Sequence, residues 1–236
     1  MMSLPIGLAG FIMMVFLAGA GSNWKAFLNA HAFWIVVGGT TMILLLSNSF
    51  AVVKLLLRNV ASLFKSSHTL DTFKADLERL ARDRSSLQQS DNELIQYALN
   101  LWEKGVDPES FNMFLARFKE NLENEDLEAV NVLQNLSKYP PALGMMGTVI
   151  GLIELFGKLG ASNKDALGPA LAVAMTATFY GLFLANALIM PITDRLHVEA
   201  IHRKKQLNAI YEILILINMR EPSSMVVEEI EHRASA

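Results

Sequence analysis

The sequence contains no cysteine, which excludes a disulfide framework and any metal held by thiolates. Charge is also scarce: 18% of residues are charged against 52% apolar, a balance that does not fit an ordinary soluble domain. Basic residues are not in excess. With a formal net charge of −3 there is no field to displace counterions from phosphates, and nucleic acid is excluded as a partner. The histidines are few and scattered. His31, His68, His197, His202 and His232 show no metal-ligand spacing, and His197 and His202, beside basic residues, read as solvated helix-face positions. No metal, cofactor or catalytic residue is expected, and therefore no enzyme.

What the chain has in abundance is long uncharged apolar runs. A hydrocarbon core of roughly 30 Å needs about 20 helical residues, and four stretches answer to that. They are Leu4 to Ala20; the uncharged segment Ala26 to Val53, centred on Phe33 to Leu46; Ala142 to Leu159, interrupted by one acid; and Ala166 to Thr193. The first has no Lys or Arg in front of it and no clear cleavage site, so it is expected to be a retained span and not a signal peptide. The fold expected is all-α: an integral membrane protein with four transmembrane helices and a cytoplasmic helical insert between the second and third. The expected divisions are 1–57 for the first two spans, 58–138 for the insert, 139–195 for the last two, and 196–236 for a C-terminal helix and tail.

The insert carries helix periodicity. Leu94, Tyr97, Ala98, Leu101 and Trp102 form an apolar stripe. Asp107-Pro108-Glu109 places an N-cap acid before a proline at the first helical position, opening a helix with Phe111, Phe114, Leu115 and Phe118 on one face. Both stripes read as core. Pro140-Pro141 is expected to break the register before the third span. After the fourth, Leu207, Ile210, Tyr211 and Leu214 mark an amphipathic helix that closes near Glu221-Pro222. Lys54, Arg58, Lys65, Lys138, Arg195, Arg203, Lys204 and Lys205 lie on one side of the spans, and Lys25, Lys158 and Lys164 on the other. Both termini and the insert are therefore expected to be cytoplasmic.

Helices in lipid associate through small residues. Gly144, Gly147 and Gly151 line one side of the third span; Ala170, Ala174, Thr178, Gly181 and Ala185 recur along the fourth. Ordinary helix packing would explain this much. Thr148, Thr176 and Thr178 add hydroxyls to the same helices, so the pair could approach a guest helix and offer it oxygens, although each hydroxyl could equally bond its own carbonyl at i−4. An ion in a bilayer usually meets an ionisable group. Among the spans the only carboxylate is Glu154, about 20 Å along the helix from Pro140. With Lys158 at i+4 it reads as a snorkelled surface pair in preference to a permeation site. A midplane carboxylate would then come from another polypeptide.

The segments Phe33-Trp34-Ile35-Val36-Val37-Gly38-Gly39-Thr40, Pro141-Ala142-Leu143-Gly144-Met145-Met146-Gly147-Thr148-Val149-Ile150-Gly151, and Gly168-Pro169-Ala170-Leu171-Ala172-Val173-Ala174 through Tyr180-Gly181 to Pro191-Ile192 resemble, in that order, the signature stretches of the MotA/PomA flagellar stator family. The resemblance covers the spans and tail and is weak in the insert. It implies a multi-pass protein of the bacterial inner membrane, five copies of which surround two single-span MotB/PomB-like partners, each bringing an aspartate for the permeating Na+ or H+. It further implies that Pro141 and Pro191 couple ion occupancy to motion of the cytoplasmic part, and that Thr148 and Thr178 face the partner's aspartate. Ala177 stands where some sodium-type members have another threonine; sodium is the preferred ion. Family members meet the rotor protein FliG through an arginine and a glutamate about eight residues on. Here Arg82 matches the first, Ser90 falls at the second, and Asp91 or Glu93 would have to substitute. The alternatives are an ExbB/TolQ-like or non-flagellar ion-driven subunit, and a non-conducting membrane scaffold.

Overall fold

A computed structural model describes residues 27–63, 70–84, 87–159 and 167–234, together with Gly7, Ala9, Gly10, Met13, Met14 and Leu17. Most of the first expected span thus lies outside the described residues. All regular structure among them is helical: α1 (Ala30–Ser47), α2 (Phe50–Ser62), α3 (Leu70–Arg82), α4 (Glu93–Glu103), α5 (Pro108–Leu136), α6 (Tyr139–Leu159), α7 (Leu167–Phe183), α8 (Met190–Asn218) and α9 (Ser223–Ala234). Two stretches widen into π-helix, Trp34–Gly38 inside α1 and Leu184–Ile189 between α7 and α8. Three helical stretches among the described residues are long and apolar enough to cross a membrane, Ala30–Ser47, Pro108–Gly157 and Gly168–Asn218. Within Pro108–Gly157 the apolar part is α6, because α5 carries a charge every few residues.

Several boundaries differ from the sequence reading. The uncharged run Ala26 to Val53 is divided at Asn48: the Ser49 hydroxyl accepts the Val52 amide at 3.4 Å and starts a new helix. Pro140 and Pro141 interrupt little. They occupy the first turn of α6, where a proline needs no amide partner, so the helix begins three residues before Ala142. Pro191 does not end the fourth apolar helix. Its ring opposes the carbonyl at i−4 and it has no N–H to offer that oxygen; the turn immediately before it widens to π, and the chain stays helical to Asn218.

The chain divides into two compact units, residues 1–64 with 128–196, and residues 65–127 with 197–236. In the second, apolar faces of α3, α4, α5, α8 and α9 close around Leu77, Leu94, Ile95, Phe111, Leu115, Ile210 and Leu214. Trp102 stacks on Phe111 at 5.1 Å and Tyr97 on Phe118 at 4.1 Å. The expected helix start at Asp107 holds, and a second cap, at Asn92, was not anticipated. Asn92 accepts the amides of Leu94 and Ile95, and Asp107 that of Ser110 at 2.9 Å. Phe114 is a correction: it is exposed, because the row facing the core runs through buried Phe111 and Leu115, half-buried Phe118 and buried Leu122. Helix α9 was not anticipated; it buries Val226 and Ile230 after the chain turns at Arg220, whose φ is +60°.

One flank of this unit is a row of charges. Arg203 bridges Asp126 at 3.0 Å and Glu93 at 3.1 Å, while Lys204 and Lys119 converge on Glu123 at 3.0 and 3.5 Å. Burial raises the Asp126 carboxyl above its ordinary range, Arg203 opposing only in part. The folded protein then holds that proton more readily than the unfolded chain does. Asp126 favours folding below the ordinary carboxylate range and loses that contribution as pH rises through its folded value. Thermal melts should therefore show the wild type gaining on Asp126→Asn as pH falls from neutral into the carboxylate range. A Tm difference that ignores pH would contradict this.

Candidate functional site

The first unit is organised by the antiparallel contact of α6 with α7, which is made by small residues in close approach. A β-carbon on Gly144 would stand 2.9 Å from the Ala177 carbonyl oxygen and 3.2 Å from Thr178 Cα. On Gly151 it would stand 2.9 Å from the Ala170 carbonyl oxygen and 2.8 Å from Ala174 Cβ. One on Gly147 would collide with the Ala177 side chain, and one on Gly181 with the carbonyl oxygen of Pro140. Without side chains in these four places the backbones meet directly, and packing at that distance holds helices together where apolar burial cannot. The π-helical turn of α1 lies against the same pair, with Ala32, Val36 and Ala177 fully buried together. Tyr180 fixes the start of α1: its hydroxyl donates to the Phe27 carbonyl and accepts the Asn29 amide at 3.4 Å.

Close approach brings two hydroxyls face to face. Thr148 Oγ1 and Thr178 Oγ1 are 2.5 Å apart, from neighbouring helices. Each also reaches its own i−4 carbonyl, Thr148 that of Gly144 at 3.1 Å and Thr178 that of Ala174 at 3.4 Å. The crossed distances, Thr148 to the Ala174 carbonyl and Thr178 to that of Gly144, are both 3.5 Å. The result is a knot of four oxygens. Back-bonding to the helix and presentation to a guest had been alternatives in the sequence, and the back-bonds turn out to be part of the same cluster. Both threonines are half-buried. The cluster can solvate a small cation or a proton-bearing group, but it is neutral and cannot compensate a charge. Glu154 is six residues past Thr148, about 9 Å along the helix, and exposed.

The other expected site residues are dispersed. Thr176 is buried two residues from Thr178, about 200° round the helix, and so on a different face. Pro141 is half-buried in the first turn of α6, and Pro191 is exposed directly after the π-helical stretch. Gly144, Gly147, Gly151, Ala174 and Gly181 are all buried. Arg82 and Asp91 are exposed; Glu93 is engaged by Arg203, and Ser90 donates to Asp76 at 3.0 Å. Sequence reasoning missed the packing roles of Ala177, which fills the gap over Gly147, and of Pro140, whose carbonyl abuts Gly181. Ala177 lies three residues after Ala174, so the small-residue periodicity could have found it. It also missed Tyr180 as a tether, for which there is no local signal.

Residues 86–209 match the model of the MotA/TolQ/ExbB proton channel family. The chain is 25% identical over 202 residues to the chemotaxis protein PomA of Vibrio alginolyticus, covering 81% of this chain and 78% of that one. In fold it is similar to C. jejuni MotAB, with a TM-score of 0.83 at 22% identity over 98% of this chain and 94% of that chain. It is also similar to the flagellar MotAB stator complex from Bacillus subtilis, with a TM-score of 0.74 at 21% identity over 94% and 92% of the two chains.

Proposed function

Because the chain belongs to the MotA/TolQ/ExbB proton channel family, we propose that it is the ion-channel-forming subunit of a bacterial flagellar stator, converting ion flow into torque together with a MotB/PomB-like single-span partner. One observation carries the reading: the neutral Thr148–Thr178 oxygen cluster on a helix pair that brings it no carboxylate. A cation there needs a negative group, and a partner helix carrying an acid supplies it. The exposed apolar side chains of α6, Met145, Val149, Ile153 and Phe156 among them, fit contact with lipid and with further copies of the chain in a pentamer. The first unit is then the membrane part, with four spans counting the N-terminal run, and the second unit the cytoplasmic part that meets a FliG-like rotor protein. Both termini are cytoplasmic. The permeating ion is Na+ or H+, and swimming speed as a function of external sodium separates the two.

Pro191 couples the parts. Its replacement by alanine restores an amide donor for the i−4 carbonyl, lets the π-helical stretch Leu184–Ile189 close to α-helix, and re-phases α8 behind it. Pro191→Ala is expected to abolish swimming while the complex still assembles and reaches the membrane. Unimpaired swimming in this variant would remove the coupling role.

A further inference from the structure

Asn48 takes an extended conformation between α1 and α2, so α2 starts as a separate helix. Its 13 residues, about 20 Å of helix, are too few to cross a hydrocarbon core of roughly 30 Å, and α1 before it already supplies a spanning length. Leu56 and Asn59 are buried and mark the side of α2 that the protein holds. The opposite side is not that of a helix in water. Phe50 and Leu57 are 84% and 64% exposed, and Leu46 at the end of α1 is 86% exposed. Lys54 and Arg58 share this outer side, and both are exposed. At about 100° per residue, Leu57 stands about 20° from Phe50 in one direction, and Lys54 and Arg58 about 40° and 80° in the other. An apolar strip and a cationic strip therefore run side by side on one exposed face. That layout suits a helix lying in a bilayer surface, its apolar edge among acyl chains and its cations at the level of the phosphates. No Asp or Glu occurs before Asp71, so the segment with Lys54, Arg58 and Lys65 carries charge of one sign.

We propose that the outer face of α2 is a docking surface for an anionic phospholipid, its phosphodiester held between Lys54 and Arg58 and its acyl chains against Phe50 and Leu57. The two cations are four residues apart, about 6 Å, so both reach the oxygens of one phosphodiester. A zwitterionic lipid brings its own ammonium to the same place and leaves the charge of the segment uncompensated, whereas an anionic lipid neutralises it. The apolar strip decides between a lipid and a free anion, since phosphate alone would leave Phe50 and Leu57 in water. The surface also continues the exposed apolar side of α1 through Leu46. The bound lipid fixes the depth at which α2 lies where the chain leaves its span. The inference shares with the stator reading only the chain's place in a membrane.

The test uses the full-length complex in nanodiscs of mixed phosphatidylcholine and phosphatidylglycerol. Spin-labelled phosphatidylglycerol should associate with the protein more strongly than spin-labelled phosphatidylcholine, by about fivefold for each basic residue engaged. Lys54→Gln or Arg58→Gln should lower that preference about fivefold, the two together should abolish it, and Lys54→Arg should keep it. These side chains are exposed, so Tm should change little. A photoreactive benzophenone side chain in place of Phe50, with both cations intact, should crosslink to lipid in the same discs. A wild type without the preference, or a double variant that keeps it, would overturn the inference. Crosslinking from position 50 to a polypeptide, whether a second copy or another protein, would overturn it as well. Ion flux tests the stator reading separately, because the lipid preference is read without it.

Discussion

Alanine at Gly181 is expected to prevent the α6–α7 pair from forming, with loss of folded protein from the membrane. The added β-carbon meets the carbonyl oxygen of Pro140, a backbone atom in the first turn of α6 that cannot rotate aside. Relief requires the two helices to part, which draws Gly144 away from Ala177 and Thr178 and breaks the remaining contacts together. Overpacking of this kind costs about 1–3 kcal/mol or more, a large share of a typical stability. Gly157 supplies the control, since a β-carbon there has nothing within 4 Å. Gly157→Ala should be neutral, or stabilising by up to about 1 kcal/mol from helix propensity. Thermal melts of detergent-solubilised protein compare the two directly. Equal stability of the Gly181 and Gly157 variants would mean that the close approach is not what holds the helices.

The second large effect is on conduction. Thr178→Val keeps the shape of the side chain and deletes one hydroxyl from a cluster in which Thr148 stands 2.5 Å away. Stability should change little, by about 1 kcal/mol for a lost neutral hydrogen bond. A cation or proton carrier at the cluster loses an interaction of about 2 kcal/mol, so ion flux should fall roughly thirtyfold. Thr178→Ser should restore most of it. Thr176→Val, on a different helix face, should leave flux close to the wild type. Equal losses at Thr176 and Thr178 would show that the hydroxyl pair is not the point the ion passes.

Much of this was legible because it depends on periodicity. The stripe from Leu94 to Trp102, the helix start at Asp107-Pro108, and the glycine and alanine rows are properties of neighbouring residues, and those elements formed where they were expected. What failed depends on tertiary structure or on signals masked by composition. The break at Asn48–Ser49 is hidden in an uncharged run, although Ser49 is a capping residue that could have revealed it. Phe114 fits a helical face as well as Phe118 does, and only the position of the neighbouring helices decides which is buried. The role of Ala177 follows from the rotation of α7 against α6, and the widening before Pro191 from a proline within a helix that packing keeps intact. Candidate rotor contacts were least legible. Glu93, which could have served as the outward acid, is engaged by Arg203 at 3.1 Å, a pairing across 110 residues that no local pattern announces.

The Thr148–Thr178 oxygen cluster lacks its charge until another polypeptide supplies one. Cation uptake into sealed vesicles measures this most directly, comparing this chain alone, the chain with its single-span partner, and the same complex with the partner's membrane acid changed to its amide. Uptake confined to the intact complex is the predicted result. Uptake by this chain on its own would contradict it.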